Sequence, residues 1–316
     1  MNDETAPPEP VRAGRGWCVV RIRRMGKKRR RSGSGRTSKW VYGVLGVLAV
    51  GAVAVTAVAM QPRTPETTIA WNRDHTALPV DSPEPIPVRT QLVDVMPRLR
   101  DMSRPFNIVT LGDSTGAGRQ TWTALTGEWI GQKYGRTVKG SQWDIHSEPN
   151  GYGPVGWNLS EGEGAPVTYW NGSSAAKDAV YSLENLDELA PLPGESVDLV
   201  FINHGHNHAD YELLPEARDL IEEATARFPN AAIVVILQNP EREASPHRET
   251  QRMGVAKLGR WAQQQGYPTI DVYTPFSEQD VEALLDDTLY HPTLEGYKFW
   301  AGVVEKALDD ADPSAS

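Results

Sequence analysis

The sequence predicts an α/β fold built on a parallel, doubly wound sheet. Short apolar runs, typical of buried strands, alternate along the chain with longer amphipathic segments, typical of helices. Strands that are separated by helices in this way pair in parallel, because each helix returns the chain across the sheet. Polar residues also follow several of the apolar runs directly, at the strand ends where open α/β sheets bind ligands.

The elements can be assigned in order along the chain. A long, glycine-rich insertion is predicted over residues 134–164, and such loops often serve as lids or binding loops. Its aromatic residues Trp143, Tyr152 and Trp157 are candidate substrate contacts. The predicted strands are 106–111, 166–170, 197–202, 231–237 and 269–273, and the predicted helices are 120–134, one that begins near Ala175, 213–228, 248–265 and 294–308.

Ser114 is the candidate nucleophile. The first predicted strand ends in Gly-Asp-Ser-Thr over residues 112–115, and the glycines that follow predict a sharp turn. Ser114 is therefore expected at the carboxyl edge of the sheet, near a helix N-terminus that favours a developing anion. A serine hydroxyl is a weak nucleophile unless a base removes its proton. The chain therefore has to supply a base.

His291 is the candidate base. Pro292 follows it and disfavours helical conformation at His291, so the histidine is expected on a loop just before the last helix. Acidic residues lie a few positions upstream, and a carboxylate there can hold the imidazole in one tautomer and stabilise its charged form. Asp287 is the favoured carboxylate. Asp286, or a dyad in which a backbone carbonyl orients the ring, is the alternative.

A third polar block, Asn-His-Gly-His-Asn-His, follows the predicted strand 197–202. Gly205 in this block permits close backbone approach. The side-chain amide of Asn207 can donate a hydrogen bond to an oxyanion.

Gly-Asp-Ser early, Gly-x-Asn in the middle and His-Pro late, in this order, resemble the SGNH (GDSL-type) hydrolase family over residues 105–308. The resemblance implies a flavodoxin-like, three-layer α/β/α sandwich with a short parallel sheet. It implies ester hydrolysis through an acyl-enzyme, without a metal or another cofactor. Ser114, His291 and Asp287 would form the catalytic triad. The N–H of Ser114, a glycine N–H and the Asn207 side chain would form the oxyanion hole.

Two features of the pattern stay open. Gly172 is the favoured oxyanion-hole glycine, because it lies between a predicted strand and a predicted helix, and Gly151 and Gly153 are the second choice. The family usually places its aspartate three residues before the histidine, where this chain has Thr288. Asp287 is one residue further upstream, a shift that a small bulge in a loop can absorb.

Two other classes of function compete with the esterase. The displaced aspartate keeps a catalytically weak or non-catalytic binding module on the same scaffold as one alternative. The other is a metal-dependent phosphoesterase, because His204, His206 and His208 alternate along the chain and can bind a metal. Their Gly-His-x-His block is similar to that of calcineurin-like metallophosphoesterases, but the other blocks of that family are missing. The three histidines are better explained as polar residues beside Asn207.

The N-terminal part of the chain predicts a membrane anchor. Residues 1–39 contain 12 Lys and Arg against 3 Asp and Glu, and they are predicted to be a disordered cytoplasmic leader. Residues 40–60 carry no charge and would form a helix about 31 Å long, enough to cross a bilayer. The basic cluster before them predicts a cytoplasmic N-terminus and an extracytoplasmic remainder. An uncleaved signal-anchor is favoured over a signal peptide cleaved after Ala59, which would release the protein.

The remainder of the chain is acidic and free of cysteine. Residues 61–316 carry 20 basic and 38 acidic groups, which argues against binding nucleic acid or anionic lipid. The single cysteine, Cys18, lies in the leader, so disulfides and thiolate chemistry are excluded from the remainder. Repeated prolines predict an extended stalk over 61–104. The hydrolase domain is predicted over 105–310, followed by a disordered tail over 311–316.

The sequence thus predicts a membrane-anchored, extracytoplasmic serine esterase. Its expected substrate is a small acyl group, such as acetyl, on an envelope or extracellular glycan. Lipid esters are the alternative substrate.

Overall fold

The computed structural model describes residues 86–153, 156–208, 212–312 and 314. The predicted leader, the 40–60 segment and the first part of the predicted stalk lie outside this range. Within it, no helix is both long enough and apolar enough to cross a bilayer.

Eight strands form one sheet in the described part of the chain. All five predicted strands are confirmed as β1, β5, β6, β7 and β8, with ends within three residues of the expected ones. The bounds in chain order are β1 (Phe106–Gly112), β2 (Arg136–Asp144), β3 (Gly151–Tyr152), β4 (Trp157–Ser160), β5 (Glu163–Asn171), β6 (Leu199–Asn203), β7 (Ala232–Leu237) and β8 (Thr269–Asp271).

The sheet is mixed rather than wholly parallel. Its strand order is β3-β2-β5-β1-β6-β7-β8, with β4 also paired to β2. The neighbouring pairs β2-β5, β5-β1, β1-β6, β6-β7 and β7-β8 are all parallel. Strands β3 and β4 run antiparallel to β2. The expected short, all-parallel sheet is therefore wrong at this one edge. The central strands β1 and β6 are neighbours, so their polar carboxyl ends come together.

Helices cover both faces of the sheet. Consecutive side chains of a strand enter opposite cores: Ile108 packs in one cluster with Trp122 and Trp300, and Val109 packs in the other with Leu220. This confirms an α/β fold with helices on both sides. The helices are α1 (Leu92–Arg100), α2 (Trp122–Tyr134), α3 (Ala179–Glu184), α4 (Leu186–Leu189), α5 (Leu213–Arg227), α6 (Arg248–Gln264), α7 (Tyr273–Ser277), α8 (Val281–Leu284) and α9 (Leu294–Asp310).

The segment predicted as a long insertion contributes the strands β2, β3 and β4 instead. Few residues of β2 are apolar, and its partners are the distant β5 and the antiparallel β4, so no local signal marks it. The aromatic side chains of this segment pack inward. Trp143 is buried and its Nε1 donates to the Tyr181 hydroxyl at 3.0 Å, while the ring of Tyr152 packs edge-on against Trp170. The expectation that Trp143 and Tyr152 face a substrate is corrected accordingly.

Helix α1 lies inside the predicted stalk. Leu92, Val95, Met96 and Leu99 are spaced as one face of a helix and are buried in the core. Pro97, which the sequence analysis assigned to the stalk, lies within this helix. The boundary between a stalk over 61–104 and a domain that begins at residue 105 is therefore wrong, and the folded part includes α1.

We expect Leu99→Ala to lower the free energy of unfolding by about 2–5 kcal/mol, because Leu99 is fully buried and its truncation leaves a cavity. Val93→Ala on the same helix should change it by no more than about 0.5 kcal/mol, since Val93 is exposed. Urea denaturation of the purified protein measures both. Equal effects of the two substitutions would contradict the placement of α1 in the core.

Candidate active site

Ser114 lies at the carboxyl end of β1, as the sequence predicts. It begins a short 3₁₀ turn, Ser114–Gly116, and α2 starts only at Trp122. Asp113 caps this turn: its Oδ1 accepts hydrogen bonds from the backbone N of Thr115 at 3.0 Å and from the Thr115 hydroxyl at 2.7 Å. The first N–H groups of such a turn have no partner within it. The backbone N–H of Ser114 therefore remains free of the turn's own hydrogen bonding.

The buried side chain of Gln238 also hydrogen-bonds Asp113. Gln238, just after β7, donates from Nε2 to Asp113 Oδ2 at 2.9 Å and to Asn203 Oδ1 at 3.1 Å. Burial by itself raises the pKa of Asp113, but His206, His204 and these hydrogen bonds outweigh it and hold the pKa below its ordinary value. Asp113 is therefore a charged acceptor, and it fixes the turn rather than reacting.

A second set of hydrogen bonds holds the far side of the turn. Asn171, the last residue of β5, donates from Nδ2 to the carbonyl of Gly116 and to Gln142 Oε1, both at 2.8 Å. Gln142 Oε1 also accepts from the backbone N of Gly118 at 2.9 Å. Sequence reasoning missed Asn171 and Gln238, although both stand directly at a strand end, which is the signal that would have found them.

The structure brings Ser114 and His291 together across 177 positions of sequence. Ser114 Oγ lies 2.7 Å from His291 Nε2, within hydrogen-bond distance. Burial lowers the pKa of His291, and the charge of Asp286 opposes part of that effect. The imidazole is therefore neutral near pH 7 and can accept the hydroxyl proton.

The other ring nitrogen of His291 contacts Thr288, not Asp287. Thr288 Oγ1 lies 2.9 Å from His291 Nδ1, and the same hydroxyl contacts Asp286 Oδ1. Asp287 is fully exposed and pairs with Arg242 at 3.6 Å. The assignment of Asp287 as the orienting carboxylate is therefore corrected. The side chain of Asp287 is directed away from the ring because the loop turns between Asp286 and Thr288, whose backbone N donates back to Asp286 Oδ1 at 2.9 Å.

The expected oxyanion-hole residues differ in their placement. The N–H of Gly172 donates to the Thr110 carbonyl at 2.8 Å, so it is engaged in the sheet and is not available to a substrate. Position 172 requires glycine because a Cβ there would lie 2.9 Å from the Thr110 carbonyl oxygen. Gly151 and Gly153 lie in or beside β3, which β2 and β5 separate from β1. None of the three glycines supplies the expected donor.

Asn207 follows β6, the strand next to β1. Its Nδ2 donates to the carbonyl of Lys177 at 2.8 Å, which fixes the amide against the loop between β5 and α3. That loop carries Ala176 at φ 56°, a left-handed conformation that costs a non-glycine residue about 1–3 kcal/mol. The placement at the sheet edge agrees with the prediction, although the amide's partner was not foreseen.

The three histidines near Asn207 have different partners. His204 Nε2 lies 2.9 Å from the Ser182 hydroxyl, and His206 Nδ1 lies 3.2 Å from Glu241 Oε1. His208 Nε2 lies 3.2 Å from a carboxylate oxygen of Glu216. In the part of the chain that the structure describes, no three His, Cys, Asp or Glu side chains are grouped to hold a metal ion. The geometry gives the metal-dependent alternative no support.

A cavity of about 340 Å³ opens beside the loop after β6. Its walls include Leu213, Met253 and Lys257 from α5 and α6. Neither Ser114 nor His291 belongs to its lining. The cavity is therefore not the place where the serine–histidine pair lies.

The chain resembles known proteins over the region that holds this pair. A family model described as GDSL-like Lipase/Acylhydrolase matches residues 110–299, more than half of the chain. A search of curated proteins found no match.

Solved structures resemble this chain at low sequence identity. A two-domain esterase active on acetylated mannans is 17% identical with a TM-score of 0.50, and the match covers 70% of this chain and 53% of that one. This chain thus spans about half the length of that protein. A lipase/acylhydrolase from Enterococcus faecalis is 16% identical, with a TM-score of 0.48 and coverage of 64% and 95%. A GDSL-like lipase from Bacteroides thetaiotaomicron is 16% identical, with a TM-score of 0.45 and coverage of 70% and 100%.

Burial of His204 predicts a specific dependence of stability on pH. Burial lowers its pKa to about 4, whereas an exposed histidine titrates near 6.5. Between these pH values the unfolded chain binds the proton and the folded chain does not. The contribution of neutral His204 to the free energy of unfolding is therefore complete above pH 6.5. As the pH falls to 4, up to about 3 kcal/mol of that free energy is lost.

We expect His204→Asn to remove this part of the slope in denaturation curves recorded from pH 7 to pH 4. Ser182→Ala is the matched control, because it deletes the contacting hydroxyl and leaves the imidazole buried, so the slope should remain. A wild-type slope that His204→Asn leaves unchanged would contradict the prediction.

Proposed function

The chain belongs to the GDSL-like lipase/acylhydrolase family and is an ester hydrolase, and from that premise we propose that it is a serine esterase with Ser114 as nucleophile and His291 as general base. The observation that carries the proposal is the 2.7 Å contact between Ser114 Oγ and His291 Nε2. A nucleophile and a base within hydrogen-bond distance, on a turn that buried side chains hold rigid, are what acyl transfer requires.

In the proposed reaction the proton of Ser114 moves to His291 Nε2 while Oγ forms a bond with the ester carbonyl carbon. The protonated imidazole then donates to the leaving alcohol as the carbon–oxygen bond breaks, which leaves an acyl-enzyme. A water molecule, deprotonated by the same nitrogen, then forms a bond with the acyl carbon. The bond from that carbon to Ser114 Oγ breaks, His291 Nε2 returns the proton to Oγ, and the acid is released. The Ser114 N–H and the Asn207 amide are the proposed donors to the carbonyl oxygen, whose negative charge develops at the edge of the sheet.

The proposed substrate is a small acyl ester, such as an acetyl ester, of an extracellular or envelope glycan. One observation supports it, the fold shared with an esterase active on acetylated mannans. The glycan would be reached from the extracytoplasmic location that is itself proposed below. A lipid ester is the second candidate substrate.

The proposed location of the catalytic domain is extracytoplasmic, held to the cell membrane by residues 40–60. The support is the uncharged run of residues 40–60 behind a strongly basic leader, together with the acidic character of residues 61–316. Release after cleavage behind Ala59 is the alternative.

We expect Ser114→Ala to lower kcat for p-nitrophenyl acetate by about 10⁴- to 10⁶-fold, because loss of a nucleophile removes the acyl-enzyme route. Ser147→Ala, in an exposed loop, is the matched control and should retain activity. Rates should fall as the acyl chain lengthens from acetyl to decanoyl, and acetate should be released from an acetylated glycan. A wild-type protein inert toward every chain length, or activity that EDTA abolishes, would refute the proposal.

We expect the full chain to stay in the membrane fraction after an alkaline carbonate wash, whereas a variant without residues 1–60 should be soluble. N-terminal sequencing of the cell-associated protein distinguishes the anchor from a cleaved signal. A mature N-terminus immediately after Ala59 would contradict the anchor, and recovery of the intact full chain in the soluble fraction would contradict membrane insertion.

A further inference from the structure

The base of this site is oriented by a hydroxyl where a carboxylate would be expected. Thr288 Oγ1 lies 2.9 Å from His291 Nδ1, and its other side-chain partner is Asp286 Oδ1. The carboxylate therefore reaches the imidazole only through the threonine. A serine–histidine site requires Nδ1 to carry the proton, so that Nε2 is free to accept the one on Ser114.

The hydrogen-bonding capacity of the Thr288 hydroxyl determines the direction of each contact. A hydroxyl has one proton and two lone pairs. The carboxylate of Asp286 is an acceptor only, so the hydroxyl proton is directed to it. The lone pairs then accept from the His291 backbone N at 3.2 Å and from His291 Nδ1–H at 2.9 Å. This arrangement uses the full capacity of the hydroxyl and selects the productive tautomer.

The backbone of the loop holds these groups in place. The N–H of Asp286 donates to the His291 carbonyl at 2.8 Å, which closes the loop on itself. Between them, Leu289 adopts φ 79°, an unfavourable conformation for a residue with a Cβ. Such strain persists only where the surroundings determine it, and the backbone N of Arg242 donates to the Leu289 carbonyl at 2.8 Å. The geometry is therefore built into the loop.

We propose that Thr288 is a positioning residue that transmits the hold of Asp286 to His291, in a serine–histidine–threonine–aspartate relay. The inference rests on the proposed esterase function. No proton moves along the relay: the Ser114 proton goes to Nε2, and Nδ1 and Thr288 keep theirs. The relay selects the tautomer. It also places the charge of Asp286 near the imidazolium, with the Thr288 hydroxyl between them.

Several charged or titratable groups face His291 besides this relay. Asp113 approaches from the turn after β1 and His206 from the loop after β6, and the ring of Tyr290 lies with its centroid 4.4 Å away. Asp113 and Asp286 both favour the protonated imidazole, while burial and His206 oppose it. A variant of the relay therefore shifts the titration of His291 without abolishing it.

The test is to measure kcat and KM for p-nitrophenyl acetate from pH 5 to 9 with the full-length protein. Thr288→Val preserves the shape of the side chain and removes the hydroxyl, and we expect kcat to fall by about 30- to 300-fold with KM within twofold. The loss is smaller than the ~10⁴-fold seen when a buried orienting carboxylate is lost, since Thr288 is exposed and water can substitute in part. Thr288→Ser should retain kcat within threefold.

Paired substitutions separate the two aspartates. Asp286→Asn should lower kcat by about tenfold and move the acid limb of kcat/KM about half a pH unit lower, because the imidazolium loses an anion. Asp287→Asn, in the same loop, should leave kcat and the acid limb of kcat/KM unchanged within error. A purely structural role of Thr288 would lower the amount of folded enzyme and leave the acid limb in place.

The relay is overturned if Thr288→Val keeps kcat within threefold and leaves the acid limb unchanged, or if Asp287→Asn has the effect expected of Asp286→Asn. A second measurement does not need activity. An NMR titration of ¹⁵N-histidine-labelled protein should give a lower His291 pKa in Thr288→Val and Asp286→Asn than in the wild type, and equal values would overturn the relay. If the wild type hydrolyses no ester, the proposed function fails, and the titration still decides the relay.

Discussion

The buried carboxylate of Asp113 is the constraint on which the rest of the site depends. A buried carboxylate requires hydrogen-bond donors from the protein, and Thr115 and Gln238 supply them. Each donor also determines the position of a backbone segment: Thr115 fixes the turn that carries Ser114, and Gln238 connects the ends of β7 and β6. Satisfying one buried charge therefore sets the geometry of three adjacent strand ends.

Local restrictions on the backbone explain which parts of the site could be predicted from sequence. Ser114 and His291 stand in local contexts that restrict their backbone, a strand end followed by glycines and a position before proline, so their placement follows from short-range rules. Strand β2 and helix α1 could not be predicted in the same way. The apolar residues of β2 are sparse and its partners are distant in sequence, and Pro97 obscured an otherwise regular helical pattern in α1.

The roles of Asp286 and Asp287 could not be resolved from sequence, because the answer depends on a few dihedral angles in one loop. Spacing alone favours Asp287, which is nearer to His291. The turn that begins at Asp286, where the backbone N of Thr288 donates back to Asp286 Oδ1, reverses that preference and leaves Asp287 in solvent beside Arg242. Leu289 adopts φ 79° in the same loop. A non-glycine residue with positive φ has no reliable sequence signal. The hydroxyl of Thr288 then occupies the place that a carboxylate three residues before the histidine would take.

The arrangement around His291 has a consequence for how the base works. Two carboxylates, Asp113 and Asp286, favour its protonated form, but neither is in direct contact with the ring. Burial lowers the pKa of the resting imidazole, so the ring is neutral and ready to accept a proton. When the proton of Ser114 arrives, the field of both anions is already in place and requires no rearrangement. A directly bound carboxylate would stabilise the imidazolium more, and it would also raise the pKa of the resting base. Transmission through Thr288 thus favours a base that stays unprotonated in mildly acidic surroundings, at the cost of weaker stabilisation of its charged form.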